Sequence, residues 1–459
     1  MEQRKLYFLG IGGIGMSALA RYFMHEGCAV AGYDRTKTPL TEQLESEGAQ
    51  IHYHDSIEAI PAIFLQKDTI VVYTPAVPSD HSEMCYYREN GYRMLKRSQM
   101  LGELSKGKFV MAVAGTHGKT TTSTLVSWLN HAAANEGSAF LGGVSKNFSS
   151  NLVLGSGNRL AVEADEFDRS FLQLNPDVAV VTSADADHLD IYGTHEAVKE
   201  AFSQFIDRIK AGGALIIKQG VDVRIVNSQI AVYRYSYNEP TDFYATNISL
   251  LATGHYTFDC VTPFGVIENC TLGIPGWVNI ENAVAAIALF ITASNIEGKS
   301  VDTTALRQAL AEFSGVKRRF EFYVNTPKAV YMDDYAHHPR ELSAAITSVA
   351  KMFPGRSLTA IFQPHLYTRT RDLYVEFAQA LSLADQVILL PIYPAREEPI
   401  EGICSEIIAN RVSVPCTIIE REELAQQLSE MDTDIVVTFG AGNIDAYCNA
   451  VAEVIEKKA

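Results

Sequence analysis

Short apolar runs alternate along this chain with longer stretches whose apolar positions recur at helical spacing. The runs Lys5–Leu9, Ala29–Tyr33, Thr69–Tyr73, Phe109–Val113, Leu160–Val162, Val178–Val181, Ala329–Met332, Leu358–Phe362, Val387–Leu390 and Ile435–Thr438 read as strands. Met16–Glu26, Thr120–Asn130, Ile280–Ala293 and Arg340–Phe353 read as helices, and the stretch from Ala214 to Ile274 is rich in strands. This alternation predicts α/β layers built on parallel sheets. No repeat of fixed period and no low-complexity segment interrupts it. Three blocks emerge, each opening with a strand: 1–106, 107–317 and 318–459, with Ser105–Lys108 as the linker between the first two.

The chain's 459 residues suit two to four domains at the usual size of roughly 100–200 residues each. A formal charge of −16 argues against a nucleic-acid partner, which wants a basic surface, but leaves a small nucleotide pocket open. No apolar run reaches the roughly 20 residues that span a bilayer, and the start of the chain lacks the pattern of a secretory leader. Seven scattered cysteines, with no C-x-x-C pair, fit free thiols in a reducing, cytoplasmic compartment.

The strongest chemical signal is Gly115-Thr116-His117-Gly118-Lys119-Thr120-Thr121, set between a predicted strand and a predicted helix. Glycines let the backbone curl so that N–H groups meet phosphate oxygens at a helix N-terminus, Lys119 reaches the β and γ phosphates, and the Thr120 hydroxyl suits Mg²⁺. It is not a full Walker A motif, because Val113 stands where the leading glycine belongs. A second glycine run, Gly10-Ile11-Gly12-Gly13-Ile14-Gly15, is followed by Asp34 at the end of the next strand. That is a dinucleotide fingerprint, but its physics specifies only a diphosphate at a helix N-terminus, and a UDP-sugar meets the same geometry.

Acids gather at predicted strand ends in the second block, in Glu163–Asp168 and Asp185–Asp190, where ligands of parallel sheets collect. Most of these are solvated loop charges; Glu163 and His188 are the candidate Mg²⁺ ligands. In the third block, Asp333–Pro339 and Gln363–Arg371 bring histidines and arginines to strand ends. Arg318-Arg319 stands at the junction of blocks two and three, able to grip a phosphate or carboxylate.

These clusters, in this order, resemble the Mur ligase family. Gly115–Thr121 is similar to the family's phosphate loop and Gly10–Ser17 to its UDP-binding loop. Glu163–Leu172, Asp187–Gly193, Arg318–Phe320, Asp333–Pro339 and Phe362–Leu373 extend the likeness over nearly the whole chain. The resemblance implies three α/β domains: a Rossmann-like N-terminal domain for the UDP-substrate, a central P-loop ATPase-type domain and a Rossmann-like C-terminal domain. It implies a reaction joining L-alanine to the lactyl carboxylate of UDP-N-acetylmuramate for peptidoglycan synthesis, with ATP going to ADP and phosphate. The expected state is a monomer or homodimer with no nucleic-acid or membrane partner.

By the same resemblance, Gly12, Gly13, Gly15, Met16, Ser17 and Asp34 hold the UDP-sugar. Gly115, Thr116, His117, Gly118, Lys119, Thr120 and Thr121 hold the ATP phosphates. Asn282 meets adenine, Asp334 meets ribose, and Arg319, with Arg318 as its substitute, reaches the γ-phosphate. Thr120 and Glu163 hold one Mg²⁺ and His188 a second, while His337, His365 and Arg369 line the cleft for acceptor and amino acid. Three departures from the family pattern stand out. Val278 replaces a common histidine, and Leu366 a common arginine. Ser203 falls where sibling ligases carry a carbamylated lysine, with Lys199 nearby. Rival readings are an NAD-dependent oxidoreductase built on Gly10–Gly15, a murein tripeptide ligase with the same UDP-sugar acceptor, and a nucleotide sensor without catalysis.

Overall fold

Three sheets organise the chain in a computed structural model that describes residues 4–187, 189–251, 253–395 and 397–458. The first sheet holds β1 (Lys5–Leu9), β2 (Ala29–Tyr33), β3 (Gln50–His52), β4 (Ile70–Tyr73) and β5 (Arg93–Lys96), all parallel, in the order β3-β2-β1-β4-β5. Its β-branched and aromatic strands are covered on both faces: Leu6 and Phe8 join one apolar cluster, Tyr7 and Leu9 another. Such two-sided burial makes a parallel strand read as a continuous apolar run.

The second sheet has ten strands. They are β6 (Phe109–Ala114), β7 (Ser138–Ser145), β8 (Ser150–Val153), β9 (Arg159–Ala164), β10 (Val178–Val181), β11 (Ala214–Lys218), β12 (Ala231–Ser236), β13 (Phe243–Leu250), β14 (Tyr256–Thr262) and β15 (Gly265–Thr271). Their order is β15-β14-β13-β12-β11-β10-β6-β9-β7-β8, which places the phosphate-loop strand β6 between β10 and β9. The third sheet holds β16 (Glu321–Asn325), β17 (Val330–Asp334), β18 (Leu358–Phe362), β19 (Gln386–Leu389), β20 (Cys416–Ile418) and β21 (Ile435–Phe439), in the order β16-β17-β21-β18-β19-β20. The expected three-domain α/β architecture is therefore present.

Two compact units emerge from the packing. One contains the chain up to Ala245 with Cys260–Ile267 and Ala283–Leu310; the other contains Thr246–Asp259, Glu268–Asn282 and the chain from Ala311 onward. Within the first unit, the first and second sheets share a core: Met16 and Leu19 belong to the same cluster as Phe140 and Leu152. Asn151 bonds Ser17 Oγ at 2.9 Å and accepts from Arg21 at 2.6 Å.

Two expectations need correction. The third block does not open at Ala329: a preceding edge strand, β16, pairs antiparallel with β17 and carries a bulge between Phe322 and Val324. Edge strands alternate polar and apolar residues and lack the long apolar signal of the central strands. The helix predicted over Ile280–Ala293 runs from Val278 to Ile296 and, by length and composition, is apolar enough to cross a bilayer. It is instead a core helix, with Ala283 to Leu289 fully buried. The seven cysteines are all free thiols.

Candidate active site

The phosphate loop joins β6 to the helix Lys119–Ala134, through Gly115 at φ +138° and Gly118 at φ +78°. Positive φ is where glycine is needed. A Cβ on Gly115 would stand 1.9 Å from Thr182 Oγ1 at the end of β10, so the loop seats directly on the neighbouring strand. Ser183 Oγ accepts the His117 N–H at 2.9 Å, and the Asp185 N–H donates to Thr116 Oγ1 at 2.9 Å. His117 Nε2 lies 3.3 Å from Asp185 Oδ2. The polar residues after β10 thus brace the loop.

Lys119 Nζ donates to the Gly115 carbonyl at 2.6 Å and pairs with Glu166 at 2.8 Å. Burial alone would lower the pKa of this ammonium, but Glu166, Asp165 and Glu163 outweigh it and raise it, so Lys119 is held charged. Glu166 is a site residue that sequence reasoning missed; only the pairing of β6 with β9 brings it to the lysine. In that register Val113 faces Glu163, placing the Glu163 carboxylate beside the strand that feeds the loop.

Gly142 on β7 makes room for it. A Cβ there would come within 2.2 Å of Glu163 Oε2. The half-buried Glu163 carboxylate in that cradle and the Thr120 hydroxyl at the helix start are hard-oxygen donors of the kind Mg²⁺ takes. The His188 position lies outside the described residues. Lys199 pairs with Asp222 at 2.7 Å on the protein surface, and Ser203 Oγ donates to the Lys199 carbonyl at 3.0 Å.

A cavity of about 250 Å³ joins this strand end to the first glycine loop. Gly13, Gly15 and Met16 line one wall, Glu163 and Asp165 another, with Lys96 and Arg97 between. Gly12, Ser17 and Asp34 do not line it; they shape its wall. Asp34 Oδ2 accepts the Gly12 N–H at 2.7 Å, and Ser17 is fully buried with its hydroxyl on the Ile14 carbonyl. Lys96 and Arg97 were not singled out from sequence. Arg97 pairs with Asp165 at 3.1 Å and lies so close over Gly15 that a Cβ there would touch its guanidinium at 2.9 Å. Lys96 pairs with Asp168 at 2.7 Å, where Asp168 and Arg169 both take left-handed backbone at φ 52°.

The second unit gathers the remaining predicted residues around β17 and β18. Arg318 is committed internally: its guanidinium bonds Asp333 at 2.9 Å and the carbonyls of Gly440 and Gly442 at 2.7 and 3.2 Å. Arg319 lies over the Tyr335 ring at 4.9 Å, where Arg318 also packs at 5.2 Å, and its charge acts on the neighbouring Asp334 carboxylate. Asp334 is buried and accepts the N–H groups of Phe320 and Ala336, each at 2.8 Å. Burial pushes its carboxyl up to about 6 despite those bonds and Arg319.

His337 Nδ1 faces the Tyr335 carbonyl at 3.0 Å, and its ring lies 6.1 Å from that of His365. His365 stacks on Tyr393 and stands 3.5 Å from Arg369 Nη1. Leu366, where the family pattern has arginine, is buried with φ 70° and ψ 136°. Asn282 bonds Asn279 Oδ1 at 3.1 Å near the start of the core helix.

Three family models match successive parts of the chain. Residues 5–109 match the family model described as Mur ligase family, catalytic domain; residues 113–290 match the Mur ligase middle domain; residues 318–442 match the Mur ligase glutamate ligase domain. The chain is 47% identical to the UDP-N-acetylmuramate–L-alanine ligase of Phocaeicola vulgatus, over 99% of both chains. It is 48% identical to that of Parabacteroides distasonis, over 99% of this chain and 97% of the relative. Among solved structures, the UDP-N-acetylmuramate–alanine ligase MurC of Thermotoga maritima superposes with a TM-score of 0.82 at 26% identity, over 99% of this chain and 100% of the other. With three consecutive family models matched and close relatives aligned end to end, the chain belongs to the Mur ligase family.

Proposed function

We propose that this chain joins L-alanine to the lactyl carboxylate of UDP-N-acetylmuramate at the expense of ATP. The supporting observation is the cavity in which the glycine loop of the first sheet faces Glu163 and Asp165, beside the phosphate-loop strand. A diphosphate-bearing acceptor seated on the Gly13–Gly15 helix start, with Lys96 and Arg97 beside it, presents its other end toward the phosphate loop. The relatives aligned over the whole chain carry this activity in their names.

The chemistry needs two displacements. A carboxylate oxygen attacks the γ-phosphorus, the bond to the β–γ bridging oxygen breaks, and ADP leaves. The amine of alanine then attacks the carbonyl carbon of the acyl phosphate; the tetrahedral adduct collapses, expels phosphate and loses a proton. The first step gains from positioning and charge neutralisation more than from covalent help. Lys119 is held charged and half-buried at the loop, and the Gly115–Thr121 backbone offers N–H groups at a helix start.

Thr120 and Glu163, with His188 at a second position, would hold Mg²⁺. Bound there, Mg²⁺ would supply positive charge that offsets the charge of the phosphates. Arg319, which unlike Arg318 makes no hydrogen bond to the Gly440 and Gly442 carbonyls, is assigned to the γ-phosphate, Asn282 to adenine and Asp334 to ribose. His337, with Nδ1 against the Tyr335 carbonyl and near Glu341, is assigned to the proton transfers that accompany attack by the amine. His365 and Arg369 are assigned to the amino-acid carboxylate, with Leu366 contributing packing only. The free thiols suit a cytoplasmic location.

The test is phosphate release from ATP with Mg²⁺ and UDP-N-acetylmuramate, over L-alanine, glycine, L-serine and a tripeptide. Stimulation by L-alanine above the others is the expected result. Stimulation by the tripeptide alone would move the activity to a sibling ligase.

A further inference from the structure

A second group of metal-ligating side chains lies away from the cavity described above. It sits where β3, the loop 53–56 and the helix Ser82–Glu89 meet in the first sheet's layer. Asp55, His81 and Glu83 each offer one ligand atom, and the three atoms lie within 4.8 Å of one another. His81 Nε2 is 3.4 Å from Asp55 Oδ1. Two ligands of a tetrahedral ion with bonds of ~2.1 Å stand about 3.4 Å apart.

Burial makes the cluster more than a patch of charge. His81 is only 6% exposed, yet neither of its ring nitrogens has a hydrogen-bond partner. Buried polar atoms are nearly always hydrogen-bonded, yet Nε2 meets Asp55 only at 3.4 Å without a hydrogen bond, and Nδ1 has no hydrogen bond either. Glu83 is fully buried, and among the described residues no lysine or arginine reaches it; its neighbours are the Tyr7 hydroxyl at 2.6 Å and His52 at 3.4 Å. A buried carboxylate calls for a cation or a proton. Helix capping explains Asp55, which accepts from the Ser82 N–H at 3.1 Å and from its hydroxyl, but not His81 or Glu83.

The surrounding contacts orient the ligands as metal sites require. The Tyr7 hydroxyl fixes one oxygen of Glu83, the Ser56 N–H approaches the other at 3.4 Å, and the His81 ring packs on Tyr33 with centroids 4.3 Å apart. One imidazole with two carboxylates is a mixed nitrogen and oxygen set. Mg²⁺ prefers all-oxygen octahedra and keeps its waters, whereas Zn²⁺ takes this set readily.

We infer that Asp55, His81 and Glu83 form a binding site for a divalent transition-metal ion, Zn²⁺ by ligand preference, that ties the loop 53–56 to the first turn of helix Ser82–Glu89. The site is structural and distinct from the Mg²⁺ position at Glu163. His81 packs on Tyr33, and the next residue, Asp34, holds the Gly12 N–H of the glycine loop. Occupancy therefore stiffens the segment that shapes the loop.

Seven free thiols could also take up Zn²⁺, so the probe is Co²⁺, added to the full-length protein in saturating Mg²⁺ and followed by absorbance and by equilibrium dialysis. The expected result is one equivalent with visible d–d absorption and no thiolate charge-transfer band. That equivalent disappears in both His81→Ala and Asp55→Asn, persists in Glu163→Gln, and is displaced by Zn²⁺. Asp55 is exposed, so its variant folds even if His81→Ala does not, with circular dichroism as the check. Wild-type protein that takes up no thiolate-free equivalent, or a folded Asp55→Asn that keeps it, overturns the proposal.

Discussion

Replacing Gly142 with alanine adds one methyl group and tests whether the position of Glu163 matters. The new Cβ would lie 2.2 Å from Oε2 and 2.3 Å from the carboxylate carbon, against ordinary contact of 3.4 Å or more. The carboxylate must therefore retreat by about 1 Å, which a flexible side chain does at small cost. The folded state should lose little: Gly→Ala within a strand returns about 0.5–1 kcal/mol through reduced chain entropy, offsetting the new crowding. A misplacement of about 1 Å at a reacting centre costs on the order of 10²-fold in rate, or about 2.7 kcal/mol of barrier. The assay is alanine-dependent phosphate release over a Mg²⁺ titration, run beside thermal unfolding. Expected is a fall in kcat of about 10²-fold, a higher Mg²⁺ requirement and a Tm little changed. A Gly142→Ala enzyme with wild-type kcat and Mg²⁺ dependence would refute the reasoning, because it would show that the carboxylate need not sit where β7 leaves room for it.

Lys119→Ala should abolish turnover and also lower Tm, because it leaves the nearly buried Glu166 without its cation; Lys119→Met with Glu166→Gln should recover Tm but not turnover. Arg318→Ala should destabilise by about 3–5 kcal/mol, since Asp333 is fully buried against it, while Arg319→Ala, which removes only a longer-range charge from Asp334, should destabilise less and lower kcat. The Asp334 carboxyl is raised by burial to about 6, so the folded state binds its proton more tightly than the unfolded chain. Its stabilisation is complete below about pH 4 and is lost as pH rises through about 6, a span worth about 3 kcal/mol. Urea unfolding of Asp334→Asn should lack that component, and an unchanged pH dependence would count against it.

The central strands were readable because parallel strands covered on both faces are apolar without interruption, as in Val178–Val181 and Leu358–Phe362. The phosphate loop was readable because its glycines and lysine are contiguous. What escaped were features made by register. Glu166 meets Lys119 across 47 residues, Arg97 meets Asp165 across 68, and Gly142 lies under Glu163; no local pattern records these approaches. Edge strand β16 escaped because Glu321–Asn325 is short and only half apolar. The family resemblance puts Arg319 ahead of Arg318; the coordinates add the contacts of Arg318 with Gly440 and Gly442, which no sequence pattern records.

The pairing of Lys119 with Glu166 sets an admission threshold for the phosphate loop. Because the lysine already has a counter-charge, the loop presents little net attraction to a lone small anion. A ligand must compete with a well-placed carboxylate, which favours a polyphosphate making several N–H contacts at once over inorganic phosphate. The same contact would thus keep the released product from blocking the loop between turnovers and hold the lysine protonated while it waits.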